Sequence, residues 1–399
     1  MNWHKELETW FDRHAEEGTA LLCDLVRQDT VNPPGNEYRA AEVVQAYLAR
    51  HGITSETHEG AAGRTNLLAR VGTGAPVLFV PAHTDVVPVG EGWDHDPFDP
   101  VVREGYVYGR GVADDKGPLA SLLLLAAFLK EHEGAFRGTL LAGAVADEER
   151  GSTHGIVYLL QHGLIEADYA IVPDTGSSIY CVSCGEKGLL HVEVTFHGAQ
   201  AHGSTPEKGC NAIWAAWEFL QAVRAEFGEQ IGYCRGASHE LFSPTTINVA
   251  RMQGGGAFNI IPAQCSVRLD IRYIPGQTCD ELLARLRAYA QEVADQKLCH
   301  AFDVHVASHM APYVLDENNP VVAAVRTAVR MVSGRDVQRM GMSGTTVCKQ
   351  LIEKNIPAVG WSQDSHDQAH MANERLAVSE IKTFGVALGL AFLALGNNL

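Results

Sequence analysis

Apolar positions along the chain follow two kinds of period, which predict its helices and strands. Between about residues 20 and 180, helical periods alternate with short apolar runs that are typical of strands. The runs PVLFV and TLLAGAV are almost entirely apolar, as expected for central strands that helices cover on both faces. This alternation favours an α/β fold, in which ligands tend to gather at the carboxyl ends of the strands.

The pattern changes between residues 187 and 310, where strands and helices follow the order β-α-β-β-α-β. This order is typical of a ferredoxin-like α+β unit. A further helix, Pro320 to Ser333, and the strand IPAVGW then return to the first pattern. The sequence therefore predicts a discontinuous catalytic domain formed by residues 1–186 and 311–399, with residues 187–310 inserted into it.

Composition and charge indicate which kinds of molecule the protein binds. The 399 residues are 46% hydrophobic and 20% charged, which is typical of a folded chain with more than one core. Forty-eight acidic residues against 31 basic ones give a net charge of −17. We therefore expect a small-molecule substrate, and neither nucleic acid nor a membrane as partner. The first residues have the pattern of an amphipathic helix rather than a signal peptide, which predicts a cytoplasmic protein.

Histidine and carboxylate side chains follow several of the predicted strands. His83 and Asp85 follow the run PVLFVPA, and their spacing of two places both on the same side of an extended chain. A histidine that ligates a metal commonly donates its second N–H to a carboxylate, a role that Asp85 could take. Taken alone, the pair is a weak signal, and an ordinary polar strand end is the alternative interpretation.

Two acidic clusters occupy turns. Asp114 and Asp115 open a long helix, where they would act either as helix caps or as ligands aimed inward by a glycine-rich turn. Asp147, Glu148 and Glu149 follow TLLAGAV, where three carboxylates repel one another and require a compensating cation or a solvated loop. One of the two adjacent glutamates could bind a metal while the other stays free as a base.

Two further candidates complete a metal-binding set. Asp174 follows the apolar run AIV, and His370 precedes the predicted last helix, while His366 is interpreted as an accessory or surface histidine. Five segments thus supply His, Asp and Glu without thiolates, a set of ligands that suits zinc, cobalt or manganese. Two ions that share one bridging carboxylate would use five ligands and leave one base.

The chain contains five motifs in a fixed order: PAHTDVVP, GRGVADDKG, ADEERG, VPDTG and HMANE. In these motifs it resembles the acetylornithine deacetylase, succinyl-diaminopimelate desuccinylase and carboxypeptidase G family of di-zinc metallohydrolases. The resemblance spans nearly the whole chain, since it also covers NPPGNE, WDHDPFDP, AHGSTPEKGCNAI and NIIPAQCSVRLDIR.

The resemblance implies two metal ions with Asp114 bridging them. His83 and Asp174 would complete the ligands of one ion. Glu149 and His370 would complete those of the other.

The resemblance also implies roles for two neighbouring carboxylates. Glu148 would be the general base and acid, which takes a proton from water and passes it to the leaving nitrogen. Asp85 would orient His83 as a further catalytic residue. The peptide bond between Asp114 and Asp115 would be cis.

The inserted segment resembles the lid or dimerisation domain of the family, which implies a homodimer. His202, in AHGSTP, would reach the active site of the neighbouring subunit and stabilise the tetrahedral oxyanion. Asn259 and Arg272 match residues that bind substrate, and Arg272 would hold the substrate's carboxylate through two hydrogen bonds. A surface arginine on an alternating strand is the alternative interpretation of Arg272.

One segment departs from the desuccinylase pattern. Where that branch of the family carries G-T-S-D-G-R-F, this chain has GMSGTTV, with Gly344 and Thr346 in place of an aspartate and an arginine. The missing guanidinium weakens the case for a succinylated substrate. Ser343 and Thr345 remain as hydrogen-bond donors to a substrate.

These features predict a two-metal hydrolase that cleaves the amide bond of an N-acyl amino acid. A dipeptidase or carboxypeptidase of the same family is the alternative, because its substrates also present an amide beside a carboxylate. A metal-binding relative without catalysis is a third hypothesis. Glu148 argues against it, because a site for binding alone needs no free carboxylate beside the metal. No phosphate-binding loop follows a predicted strand, so a nucleotide enzyme is not indicated.

Overall fold

The computed structural model of the chain describes residues 1–175, 178–227, 239–364 and 368–399. The chain separates into two compact units. The first consists of residues 1–184, 315–340 and 346–399, and the second of residues 185–314 and 341–345.

The described residues form helices and strands in mixed order. The helices are α1 (Trp3–Arg13), α2 (Ala15–Val26), α3 (Tyr38–Arg50), α4 (Lys116–Glu131), α5 (Ile156–Gln161), α6 (Ala212–Phe227), α7 (Cys279–Asp295), α8 (Pro320–Ser333), α9 (Cys348–Glu353) and α10 (Val378–Leu395). The strands are β1 (Ser55–Ala61), β2 (Arg64–Thr73), β3 (Val77–His83), β4 (Val101–Arg103), β5 (Tyr106–Tyr108), β6 (Gly138–Val145), β7 (Tyr169–Val172), β8 (Cys181–Glu186), β9 (Gly188–His197), β10 (Thr246–Gly254), β11 (Gln264–Tyr273), β12 (Ala301–Met310), β13 (Tyr313–Val314), β14 (Gln338–Met342), β15 (Ala358–Gly360) and β16 (Arg375–Ala377).

The first unit is built on a mixed sheet whose strands follow the order β1-β2-β6-β3-β7-β15-β8. The central strands β6, β3, β7 and β15 are parallel, and β2 is antiparallel to β6. All eight residues of β6 are buried, which its apolar sequence predicts for a strand covered on both faces. The carboxyl ends of the parallel strands lie at one edge of the sheet, where ligands bind in open α/β folds.

Apolar helices cover this sheet. α4 is buried at every position from Lys116 to Leu129, and α10 packs against α4, α8 and α1. α10 is long and apolar enough to cross a membrane, but most of it is buried inside the unit, which is typical of a core helix. The predicted amphipathic first helix is confirmed, because the apolar side chains of α1 are buried at helical spacing: Trp3, Leu7, Trp10 and Phe11.

The second unit has the element order β9-α6-β10-β11-α7-β12. Its four-stranded sheet is ordered β10-β11-β9-β12, with antiparallel neighbours, so the predicted ferredoxin-like order is confirmed. β9 alternates buried and partly buried residues along its whole length. Its buried side packs with α6 and α7, where Phe196 of β9 lies in one cluster with Phe219 and Leu286.

The unit boundaries differ from the predicted ones by a few residues. The second unit begins at Gly185 rather than Lys187 and ends at Val314 rather than Met310. The reason is the short strand β13, which pairs with the end of β8 and extends the second unit on both sides.

Residues 341–345 also belong to the second unit, although the sequence assigned them to the catalytic domain. Main-chain hydrogen bonds are the reason. The N–H of Lys187 donates to the carbonyl of Met342 (3.0 Å), and the N–H of Gly341 donates to that of Leu241 (2.9 Å). The segment GMSGT is therefore part of the unit that carries Arg272.

Candidate metal centre

Predicted site residues from three strands lie at one edge of the first unit's sheet. His83 is the last residue of β3, Glu148 and Glu149 lie in the turn after β6, and Asp174 comes two residues after β7. These strands are parallel neighbours, so their carboxyl ends bring the four side chains together.

Asp114, in the turn before α4, lies between two imidazoles. Its Oδ1 is 2.8 Å from Nε2 of His83, and its Oδ2 is 3.2 Å from Nε2 of His370. The same nitrogen of His370 is 3.2 Å from Oε1 of Glu149. One carboxylate thus presents a separate oxygen to each of two histidines, an arrangement that suits a ligand shared by two cations.

Two overlapping groups of donor atoms could each hold a cation. In the first, ligand atoms of His83, Asp114 and Glu149 all lie within 4.8 Å of one another, and in the second those of His83, Glu148 and Asp174 do. Atoms at such separations can surround an ion that is bound at roughly 2.0–2.2 Å. Glu148 and Asp174 thus both lie within 4.8 Å of the ligand atom of His83.

The carboxylates and histidines shift one another's pKa values. Burial, together with the charge of Asp174, raises the pKa of Glu148 well above its usual range. Hydrogen bonds to Asp114 and Glu149 raise the pKa of His370 to about 10. Burial opposes the ionisation of Asp114, but hydrogen bonds from His370 and His83 hold its pKa below the usual range. Protons on the histidines thus offset carboxylate charge, which a bound cation would do in their place.

The residues at this edge fit divalent cations. Imidazole and carboxylate are the ligands that zinc, cobalt and manganese take in proteins. An excess of buried carboxylates is costly without a positive charge to compensate it. The set combines two histidines with four carboxylates: His83, His370, Asp114, Glu148, Glu149 and Asp174.

Asp114 and Asp115 perform different tasks. Their peptide bond is cis, as the resemblance implies. Asp115 occupies the N-cap position of α4, but its side chain makes no capping hydrogen bond. Its Oδ2 instead accepts a hydrogen bond from the N–H of His83 (3.1 Å). Asp115 therefore holds the main chain of a histidine whose side chain faces Asp114.

Asp85 contacts His83 through a different atom from the expected one. Nδ1 of His83 is 2.9 Å from the main-chain oxygen of Asp85 and 3.7 Å from its carboxylate oxygen Oδ1. A carbonyl fixes the tautomer of an imidazole as a carboxylate does, and leaves Nε2 free to ligate. The Asp85 carboxylate instead accepts hydrogen bonds from the N–H groups of Glu148 (3.0 Å) and Glu149 (3.2 Å).

Asp147 does not join the donor set of its two neighbours. Its Oδ1 accepts a hydrogen bond from Arg64 (2.8 Å), and its Oδ2 accepts one from the N–H of His154 (3.0 Å). The three successive carboxylates are therefore not equivalent, because Arg64, 83 positions away in sequence, compensates one of them. Glu148 and Glu149 remain as the pair that lies beside the histidines.

A buried ion pair that the sequence analysis missed joins two of the loops. NH1 of Arg110 donates to Oε2 of Glu374 (2.7 Å). The Glu374 carboxylate also accepts hydrogen bonds from three N–H groups in the turn at 111–114, including that of Asp114 (3.2 Å). Arg110 in turn donates to the carbonyl of His370 (3.4 Å). The sequence motifs GRG and ANE could have indicated this pair. They place Arg110 near the predicted ligand Asp114 and Glu374 near the predicted ligand His370.

Most of the chain matches one known family of hydrolases. A sequence profile of peptidase family M20/M25/M40 matches residues 79–393. The chain belongs to this family. M20 membership confirms the resemblance that the five motifs indicated, and it makes the chain a metal-dependent hydrolase of amide or peptide bonds.

Similar proteins include both desuccinylases and peptidases. A succinyl-diaminopimelate desuccinylase from Marinobacter nauticus is 30% identical over 337 residues, which cover 82% of this chain and 85% of that protein. Aminopeptidase PepT from Bacillus cereus has a TM-score of 0.79 at 21% identity, covering 96% of this chain and 99% of its own. The Bacillus subtilis YXEP protein, a dinuclear metal binding peptidase, has a TM-score of 0.74 at 14% identity, covering 97% and 100%. The two structures share the fold of this M20 chain.

Two predicted site residues of the second unit, His202 and Asn259, lie on adjacent segments. The N–H of Gly203 donates to the carbonyl of Asn259 (2.8 Å), and His202 forms an isolated β-bridge with Ile260. The His202 side chain is exposed, and its Nδ1 lies 2.7 Å from Oγ of Ser204.

Arg272 lies beside the GMSGT segment of the same unit. Its Nε donates to Oδ1 of Asp270 (2.8 Å), and its NH1 donates to Oγ1 of Thr345 (3.3 Å). Oγ of Ser343 is 3.4 Å from Oγ of Ser243. Arg272 is therefore an oriented guanidinium rather than an isolated surface charge. His366 falls outside the described residues.

Proposed function

We propose that this M20 hydrolase cleaves the amide bond of an N-acyl amino acid with two bound zinc ions, for which cobalt or manganese can substitute. The observation that carries the proposal is the position of Asp114, whose two oxygens face the Nε2 atoms of His83 and His370. This geometry suits one carboxylate shared by two ions, and the glutamates that follow β6 supply a further ligand and a base.

In this proposal His83, Asp114 and Asp174 would hold one ion, and Asp114, Glu149 and His370 would hold the other. When bound, the ions would lower the pKa of water and polarise the scissile carbonyl. The imidazole of His83 is oriented on the side away from Asp114, because its Nδ1 donates a hydrogen bond to the Asp85 carbonyl.

Glu148 is the proposed general base and acid. Its main chain is fixed by Asp85, and its carboxyl lies among the donor atoms of His83 and Asp174. Burial and the charge of Asp174 raise the pKa of Glu148 above the usual range of a glutamate. It would take a proton from the attacking water and deliver it to the leaving nitrogen.

We propose that Arg272, Asn259 and Ser343 bind the substrate. A guanidinium recognises a carboxylate through paired hydrogen bonds, and Asp270 and Thr345 orient that of Arg272. The desuccinylase relative at 30% identity supports an acyl amino acid as substrate. The peptidases among similar structures support the alternative, a dipeptidase or carboxypeptidase.

We also propose a cytoplasmic homodimer formed through the second unit. Large apolar side chains are exposed on helix α6 and on the edge strand β10: Trp214, Trp217, Val249 and Met252. Exposed apolar groups along a sheet edge and an adjacent helix are typical of an interaction surface. The exposed His202 would serve the active site of the partner subunit as an oxyanion stabiliser.

A matched pair of substrates tests the reaction class. N-acetylmethionine and glycylmethionine differ mainly in the free amino group beside the scissile amide. We expect the zinc-loaded protein to hydrolyse the acetyl compound with the higher kcat/KM, which steady-state assays of methionine release would measure. The reverse ranking would favour the dipeptidase, and no hydrolysis of either compound or of a wider panel would contradict the proposed function.

A mixing experiment tests whether His202 serves the partner subunit. Homodimers of His202→Ala and of Glu148→Gln should each be nearly inactive, whereas subunit exchange should restore about a quarter of wild-type activity. Half of the randomly mixed dimers would be heterodimers, and each would contain one intact site. In the control mixture, His202→Ala is combined with the double variant His202→Ala/Glu148→Gln. Neither protein of this mixture has His202, so no intact site can form. If activity is recovered in neither mixture although exchange is complete, the site is not shared.

A further inference from the structure

The turn after β6 is held by side chains from three other segments of the first unit. Asp147, in this turn, has a φ of 65°, in the left-handed region that residues other than glycine rarely adopt. The next two N–H groups, those of Glu148 and Glu149, both donate to the Asp85 carboxylate. The direction in which the two glutamates leave the main chain thus depends on where Asp85 and Asp147 are held.

One amide group joins these two aspartates. Nδ2 of Asn32 donates to Oδ2 of Asp85 (2.9 Å) and to Oδ1 of Asp147 (3.0 Å). Asn32 is buried, with 3% of its surface exposed. An asparagine amide has two N–H donors, and here each donates to a different carboxylate. Without these hydrogen bonds the two carboxylates would repel each other, because the dielectric constant inside a protein is low.

Arg64 and Glu37 hold the far side of Asp147. NH2 of Arg64 donates to Oδ1 of Asp147 (2.8 Å) and to Oε1 of Glu37 (2.6 Å), and Glu37 accepts the N–H of Asp147 (3.2 Å). Asp147 is therefore fixed at both its side chain and its main chain. The guanidinium compensates carboxylate charge, and the Asn32 amide links Asp85 to the same network.

Packing leaves the network little room to move. Gly35 lies against the ion pair, and a Cβ there would be 2.4 Å from Nε of Arg64 and 2.6 Å from Oε2 of Glu37. Close-packed surroundings of this kind keep buried side chains in a single arrangement. The network is therefore a rigid support for the turn.

We propose that Asn32, supported by Arg64 and Glu37, is a positioning residue that sets the direction of the Glu148 carboxylate. It acts through Asp85 and Asp147, which fix the main chain of the turn. The inference rests on the proposed function, because it assigns the effect of Asn32 to the proton-transferring group. Groups that hold catalytic or ligating side chains in place typically change activity or metal affinity by about 10- to 100-fold when they are removed.

The test compares Asn32→Ala with a matched control, Asn398→Ala. The Asn398 side chain makes hydrogen bonds to the N–H and carbonyl of Arg137 (2.8 and 2.9 Å) and to the carbonyl of Leu393 (3.3 Å). Arg137 precedes β6, so the control removes similar contacts at the opposite end of the strand from Glu148. Each variant is assayed for melting temperature, bound zinc after saturation, kcat and KM.

We expect Asn32→Ala to keep its zinc and its KM within about twofold while kcat falls about 10- to 100-fold. Asn398→Ala should change only the melting temperature. The proposal is overturned if both variants have similar kcat values, or if the loss in Asn32→Ala disappears when activity is divided by bound zinc. A wild-type protein that hydrolyses nothing would instead contradict the proposed function, so the two failures are distinguishable.

A second variant covers the case in which Asn32→Ala does not fold. Arg64→Lys keeps the positive charge but loses the planar fork that reaches Glu37 and Asp147 together. It should lower kcat in the same direction by a smaller factor, with zinc content unchanged. An unchanged kcat in a folded Arg64→Lys protein would overturn the positioning role.

Discussion

Glu148→Gln is expected to lower kcat by about 10²- to 10⁴-fold while the protein keeps both zinc ions. The amide has nearly the shape of the carboxylate but cannot accept a proton from water. The N–H of Glu148 would still donate to Asp85, so the turn and its neighbour Glu149 should stay in place. Zinc content and kcat, measured on the same preparation, check the prediction.

Glu149→Gln is the matched control, since it changes a proposed ligand in the same turn. It should lose zinc and activity together, because Glu149 is the carboxylate beside Nε2 of His370. A different result would reassign Glu148, whose carboxyl lies within 4.8 Å of donor atoms of His83 and Asp174. If Glu148→Gln loses zinc and regains turnover at high zinc concentration, Glu148 is a ligand rather than the base.

Asp114→Asn is expected to weaken zinc binding at both positions and to abolish turnover. A carboxylate has two acceptor oxygens, and those of Asp114 face His83 and His370 separately. An asparagine has only one oxygen and no negative charge, so it bridges two cations poorly. We expect bound zinc after dialysis to fall from two equivalents to at most about one, measured by elemental analysis.

Asp168→Asn provides the control for a changed aspartate in the same sheet. Asp168 precedes β7, at the opposite end of that strand from Asp174, and its Oδ2 accepts the N–H of Val77 (2.7 Å). This variant should keep two equivalents of zinc and its kcat. An Asp114→Asn protein that also retained two equivalents would show that Asp114 does not bridge the ions.

The fold and the edge that carries the site follow from features that are local in the sequence. The apolar run in β6 predicted a strand buried on both faces, and the alternating pattern of the insert predicted its β-α-β-β-α-β order. Parallel strands place their carboxyl ends at one edge of a sheet. Strand direction alone therefore predicts that the side chains of His83, Glu148 and Asp174 lie close together. Periodicity and strand direction suffice for this level of description.

Contacts between distant irregular segments could not be predicted in the same way. Nothing in the sequence distinguishes Asp147 from Glu148 and Glu149. In the structure its carboxylate accepts hydrogen bonds from Arg64 and Asn32 and does not join the donor set. The pair of Arg110 with Glu374 was missed for the same reason. Most of these partners lie in turns, and Arg64 lies at the very start of β2, so no hydrophobic period places them. They become neighbours only after the strands have assembled.

We infer that the first unit holds two ions that together support amide hydrolysis. The most direct test is a titration of metal-free protein with zinc, in which bound metal and hydrolysis of N-acetylmethionine are measured in the same samples. We predict no turnover in the metal-free protein and a rise that reaches its plateau at about two equivalents of zinc. Full turnover without metal, or a plateau at one equivalent with no further binding, would contradict the two-metal site.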